Sequence, residues 1–319
     1  MKISEVSLLP RLLTFGFPVV VFLIASALFQ EMIYDNFAIA FTKFSLNYNL
    51  DRLYFETHQI VIGHLFLCVT LLYLMFAVCS AFYAGFVIWQ FETPVVAGLF
   101  ILFGLSFGFT FAFLLIGRNE IGEVLVRDVM SSAMSSGLII SQDSFLKLDR
   151  LLLIKDRIAL PAGGVVIAAL ACLSGQEVYQ ISRKVYRMHE IRLRLNILIT
   201  IGGVFFFLNI ISLMLHVRWT LPLFSVVDLR EADNLRLSIG LYWGVLSGLA
   251  FASAYVPAYG VLIHGRRKAY LSNAGKGQSE IEWYRDNGLS FGLNDVYSRM
   301  IGLFLPVLGA PLVELAFLS

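Results

Sequence analysis

Apolar residues in this chain come in long blocks, and short polar stretches mark where each block ends. The blocks cover residues 12–30, 58–90, 95–116, 158–174, 195–215, 239–264 and 301–318. About 20 apolar residues rising ~1.5 Å each cover a bilayer core of roughly 30 Å, so blocks of this length predict membrane-crossing helices. The first has no small-residue cleavage site behind it and is expected to stay as an anchor. The second is longer than a bilayer needs, which predicts tilt or projection into water. Only "QFETP" separates it from the third, so these two form an antiparallel hairpin. Block 158–174 is short and opens with "ALPAGG", which fits a thin span or a re-entrant segment. Block 301–318 carries Pro306, Gly309, Pro311 and Glu314, and reads as a broken helix if it crosses at all. The expected fold is therefore all-α: a polytopic transmembrane helical bundle of six to seven spans, forming one integral membrane domain over 1–319.

Two polar pieces interrupt the blocks. In the third loop, 117–157, the stretch "FLKLDRLLLIKDRIA" alternates apolar runs with Lys147, Asp149, Arg150, Lys155 and Asp156 at roughly helical spacing, which predicts an amphipathic interfacial helix. The loop 265–299 is too short to bury a core of its own. Composition agrees: 58% of residues are hydrophobic and 14% charged, and the mean hydropathy of +0.79 exceeds what a soluble domain of this size could bury.

Charge placement sets the expected orientation. Arg183, Lys184, Arg187, Arg192 and Arg194 precede the fifth span, and Arg266, Arg267 and Lys268 follow the sixth, so two crossings put both clusters on one side. Lysine and arginine favour the cytoplasmic side, which places the N-terminus inside and 13 of the 24 cations with it. The cytoplasmic (inner) membrane of a bacterium is the expected location. Arg183, Lys184, Arg187, Arg266, Arg267 and Lys268 are candidates for binding lipid headgroups or a cytoplasmic regulatory protein. A net charge of +2 gives no basis for nucleic-acid binding.

The residues that carry chemistry are sparse. "GLSFG" occurs at 104–108 and 288–292 and matches the G-x-S-x-G pattern, but that nucleophile needs a strand-to-helix turn, and neither copy has one. Cys68, Cys79 and Cys172 fall inside apolar blocks and offer no metal-ligand spacing. His64 and His216 are the candidates for a haem, which would need two histidines facing each other at one depth. Apart from that alternative no cofactor or metal is expected. Blocks one to six hold no Asp, Glu, Lys or Arg in their cores, which argues against ion-coupled transport. No catalytic residue is assigned.

Small residues in helical register are what the spans do hold. Gly240, Gly244, Gly248 and Ala252 recur at i, i+4 in "IGLYWGVLSGLAFASAYVPAYGVLIHGRRK", as do Gly104 and Gly108 in the third block. Such faces let helices approach closely by van der Waals contact. Pro257 predicts a hinge in the inner third of the sixth block. Together these features point to a protein acting by assembly: a small homo-oligomeric channel or membrane-disrupting effector in the lipid bilayer, controlled by a cytoplasmic partner. The alternatives are a structural subunit or assembly factor of a larger membrane complex, and a haem or lipophilic-molecule protein using His64 and His216.

Overall fold

Each apolar block forms a helix, because a backbone without water around it must satisfy its own hydrogen bonds. A computed structural model describes residues 5–29, 52–116, 135, 142–176, 185–219, 222, 226–275 and 278–317. Its helices are α1 (Glu5–Phe29), α2 (Arg52–Phe91), α3 (Pro94–Ile116), α4 (Gln142–Ser174), α5 (Val185–Arg218), α6 (Val226–Asn273), α7 (Glu280–Asp286) and α8 (Leu293–Phe317). Among the described residues no strand occurs. Five segments are long and apolar enough to cross a membrane: Ile60–Phe91, Arg157–Ser174, Val185–Arg218, Leu237–Asn273 and Asp295–Leu315. Leu9–Ala25 and Pro94–Thr110 are shorter apolar helices.

The long helices run alternately up and down. At one end Arg11 of α1 reaches Glu92, just past α2, and the carbonyl of Gly175, just past α4. Arg192 near the start of α5 meets Asp295 near the start of α8, and Arg266 near the end of α6 donates to the Leu289 carbonyl. At the other end Tyr242 of α6 donates to the Ala25 carbonyl of α1, and His58 lies 3.4 Å from the Arg218 carbonyl. The two ends are called the basic end and the far end below.

The bundle is built around α4. In its apolar window, 72% of residues are buried, against 28% for α2 and for α8, so α4 is a central helix with the others around it. Large apolar side chains point outward from the surrounding helices, Phe82 at 77% exposure and Val95 at 76% among them. An apolar belt of this extent is what a lipid-facing surface requires and what a water-facing one avoids.

Glycines set the helix crossings. A Cβ on Gly104 would sit 2.8 Å from the Gly164 carbonyl oxygen, and one on Gly108 would sit 2.5 Å from the Pro161 Cα, so α3 touches α4 backbone to backbone. Gly203 of α5 and Gly302 of α8 make a second such crossing, with a Cβ on the first 2.5 Å from the Cα of the second. The Gly240, Gly244, Gly248 face, whose partner the sequence leaves open between this subunit and another, is filled within this chain by α8 and by Met214 of α5. A Cβ on Gly244 would lie 2.7 Å from the Pro306 carbonyl oxygen, and one on Gly248 would lie 2.9 Å from that of Leu303.

One sequence expectation changes. The last block is not broken over 301–317: α8 runs through Pro306 and Pro311. Flanking helices α5 and α6 pack it through their glycines, and such packing holds a helix together where proline removes a hydrogen bond. The amphipathic stretch 145–159 is helical, as its spacing predicts, and runs on into the apolar half of α4, so that block 158–174 belongs to a 33-residue helix. Of the rest of loop 117–157, residues 117–134 and 136–141 lie outside the described residues. Finally, α6 continues through Pro257 to Asn273, and with α7 and α8 it makes most of 265–299 helical.

Candidate functional site

Two places in the bundle bring together polar residues that lie far apart in the sequence. The first is the far half of the interior. Lys155, Ala159, Ala162, Val166 and Ala169 follow one another at i, i+4, i+7, i+11 and i+14, so Lys155 extends the inward face of α4. Its side chain is 3% exposed. Nζ donates to Asn209 Oδ1 of α5 at 3.1 Å and stands 5.7 Å from the centre of the Tyr73 ring of α2. Along α5 the polar face continues at i+3 and i+7: Ser212 shares a 3.1 Å hydrogen bond with Thr70 of α2, and His216 is buried beside Phe66.

Lys155 and Asn209 both line a cavity of about 120 Å³ between α1, α3, α4, α5 and α6. Five aromatic residues, Phe107, Phe205, Phe206, Trp243 and Phe251, form much of its wall, and Ser247 adds a hydroxyl. Glycines on α4 and α5 contribute to the space, for a Cβ on Gly163 would already touch the Phe205 ring at 3.4 Å. Burying an ammonium costs several kcal/mol even after relaxation, on the order of what a whole salt bridge returns. An ionisable residue kept inside a membrane bundle at that cost marks a functional position by default.

The second place is the basic end, where cations are held by rings and carboxylates. Arg192 forms a two-pronged bridge to Asp295, at 2.8 and 2.5 Å, and Asp295 also accepts from Asn196 and from the Gly292 amide. The Arg266 guanidinium stacks between Tyr284 at 4.0 Å and Phe291 at 4.2 Å. Arg299 stacks on Tyr259 at 4.3 Å and on Phe291 at 4.7 Å, and donates to the Tyr259 hydroxyl. The result is a ladder in which Phe291 lies between two guanidiniums. A capping box of Ser279 and Glu282 starts α7, whose Trp283 and Tyr284 are buried. Burial, then the hydrogen bond to Glu280, pushes the Tyr284 phenol up to about 12, so it stays a neutral donor at any physiological pH.

The sequence-predicted residues distribute as follows. Arg266 is engaged by the ladder, whereas Arg267 and Lys268 are exposed. Arg187 donates to Gln176 and lies over Phe91. Arg183 and Lys184 lie outside the described residues. Ala252 and Pro257 are half-buried on α6. His64 is exposed, 2.6 Å from the Ile60 carbonyl of its own helix, while His216 is buried beside Phe66. Among the described residues no group of three or more His, Cys, Asp or Glu is placed to hold a metal. Ser106 and Ser290 of the two GLSFG copies are both exposed. Comparison with known protein families, curated proteins and solved structures finds no match to this chain.

Lys155 falls outside the fourth block because hydropathy opens that block at residue 158, and Asn209 is one uncharged amide within the fifth, which hydropathy does not single out. The signal was there in the helical register, since Lys155 shares the face of Ala159 and Ala162.

Proposed function

We propose that this is an integral protein of the cytoplasmic membrane that binds a small lipophilic molecule inside the bundle, as a carrier or receptor taking it from the bilayer. The observation that carries this reading is the aromatic cavity with Lys155 on its wall. Pockets of this kind, apolar with a few converging polar groups, are the usual form of small-molecule sites. The chain crosses the membrane seven times in this reading, the upper end of the six-to-seven expectation, with Leu9–Ala25 and Pro94–Thr110 completing the five longer spans. The N-terminus and the basic end face the cytoplasm, in line with the placement of Lys and Arg. A single cysteine at exposed Ser272, in a chain freed of its native cysteines, should escape impermeant reagents in intact cells.

The binding test uses the full chain in lipid nanodiscs, with native mass measurement of retained molecules and thermal shifts on adding small aromatic compounds. Ser247→Phe, which fills the cavity, should abolish both signals. Leu249→Phe, on the exposed face of the same helix, should leave them intact. Wild-type protein that retains nothing and responds to no aromatic compound would overturn the reading. Oligomers of the same preparation that pass current in planar bilayers would return the partner-controlled channel to first place, although the glycine faces that suggested it are already occupied within the chain.

A further inference from the structure

We infer that the seam between α2 and α5 near the basic end holds the phosphate of an anionic phospholipid, and that Arg194 is the residue that binds it. This rests on the membrane placement proposed above and is independent of the cavity.

Arg194 is the last charge before the apolar block 195–215. At ~1.5 Å per residue that block matches a hydrocarbon core of roughly 30 Å, so Arg194 stands where the core gives way to headgroups. Its surroundings on α2 agree. The guanidinium lies 5.3 Å from the centre of the Phe86 ring and 5.8 Å from that of Tyr83. Phe82, Phe86 and Trp89 recur at i, i+4 and i+7 on one face of α2, and all three are exposed, as is Leu193 beside Arg194. An exposed tryptophan one turn beyond such phenylalanines is what an interfacial aromatic belt presents. Acyl chains therefore have apolar side chains to lie against next to the guanidinium, which a free anion would not use.

Arg11 and Arg192 at the same end each meet a carboxylate, Glu92 and Asp295. Arg194, half-buried, does not. Among the described residues its one hydrogen bond runs from Nη1 to the neutral Tyr83 hydroxyl at 3.2 Å, and its Nε is buried without a partner. Glu190, one turn back on α5, accepts from Gln90 instead. A guanidinium suits a phosphate because its fork of donors matches the phosphate oxygens, and basic sites between transmembrane helices take phospholipid headgroups. A choline or ethanolamine headgroup would bring an ammonium to a seam that already holds Arg187 and Arg194 against Glu190 alone. An anionic headgroup brings none, so the seam favours the anionic class.

The experiment exposes the full chain in detergent to mixtures of phosphatidylglycerol and phosphatidylcholine with the same acyl chains, and counts retained lipids by native mass measurement. The wild type should retain phosphatidylglycerol over phosphatidylcholine about fivefold beyond their ratio in the mixture, the gain that one cation gives at an anionic headgroup. Arg194→Gln should lose most of that preference. Glu190→Gln, which keeps an acceptor for Gln90 and removes the neighbouring negative charge, should raise it. Ser247→Phe, in the cavity, should leave it unchanged. Equal retention of the two lipids by the wild type would overturn the inference. A preference that survives Arg194→Gln in full would place the lipid elsewhere, on exposed Arg267 and Lys268, and overturn it too. So would a preference erased by inorganic phosphate, which would make the seam a site for a free anion. Recovery of the chain in the soluble fraction without detergent would remove the membrane reading itself, and this inference with it. If Arg194→Gln does not fold, the wild-type ratio and Glu190→Gln decide.

Discussion

The basic end and the cavity hold their cations by opposite means. At the basic end Arg192, Arg266 and Arg299 are set among Phe291, Tyr259, Tyr284 and the carboxylate of Asp295, so charge and rings are shared among several helices. Guanidinium suits this, being planar, able to stack and able to bridge a carboxylate with two parallel bonds. At the cavity wall the Lys155 ammonium donates to an amide oxygen and stands beside a ring. Lysine is a compact charge and brings no plane to stack. The contrast separates architecture from site. The arginine ladder staples α5, α6, α7 and α8 together at the basic end. Lys155 lines a cavity.

The comparison breaks first at Asp295. Removing its carboxylate leaves Arg192 without the second half of its bridge and strips Asn196 and the Gly292 amide of their acceptor. Asp295→Ala should destabilise the bundle by about 3 kcal/mol or more, measured as a lower thermal midpoint in detergent and faster proteolysis within 274–292. An unchanged midpoint would mean that the ladder does not hold the end together.

Next in size is Gly244→Ile. A branched side chain there meets the Pro306 carbonyl and must push α8 off α6, at a cost of about 1 to 3 kcal/mol for an overpacked site. Stability should fall while subunit number in native mass measurement stays that of the wild type. A change of subunit number with stability preserved would return this face to an intermolecular role.

A smaller effect is expected at Ser279. Its hydroxyl caps α7 by accepting from the Glu282 amide, and Ser279→Ala should cost about 1 kcal/mol, the usual value of an N-cap. Glu282 completes the box, and its hydrogen bonds to Ser279 hold its carboxyl below the usual range. A depressed carboxyl contributes stability above its unfolded value and loses it as pH falls through the folded one. Amide exchange in 280–286 should therefore quicken on acidification in the wild type, and much less so in Ser279→Ala.

The smallest effect on stability belongs to Lys155. Met keeps the buried stem of the side chain and removes the several kcal/mol that holding an ammonium away from water costs, which offsets the lost hydrogen bond to Asn209. Lys155→Met should leave the thermal midpoint unchanged or raise it, in sharp contrast to Asp295→Ala. A loss as large as that of Asp295→Ala would make Lys155 part of the scaffold, and the distinction between the two regions would disappear.

Much of this bundle was legible before any coordinates. Alternation of long apolar blocks with short polar turns predicted helices, the α2–α3 hairpin and the gathering of basic residues at one end, because hydrophobic length and charge act locally along the chain. Small residues at i, i+4 were recognisable as packing faces for the same reason. Their partners were not, since Gly244 meets Pro306 and Gly104 meets Gly164 across 60 or so residues of chain, and a glycine accepts any helix that comes close. The ladder was illegible in the same way: Arg266 read as a headgroup-binding cation until Tyr284 and Phe291 folded over it.

What the sequence determined by itself is a series of apolar runs long enough for a bilayer and the helices they form, for a backbone away from water must pair its own polar groups and a helix does so within a single run. What only the tertiary structure decided is which polar groups share a site. Lys155 sits at the edge of a block by hydropathy, and snorkelling to the interface was open to its long side chain. Its helical phase and the approach of Asn209 and Tyr73 turned it inward instead. The imperfect fit of bulky rings against the glycines of α4 and α5 left the cavity beside it, and no local pattern records a space.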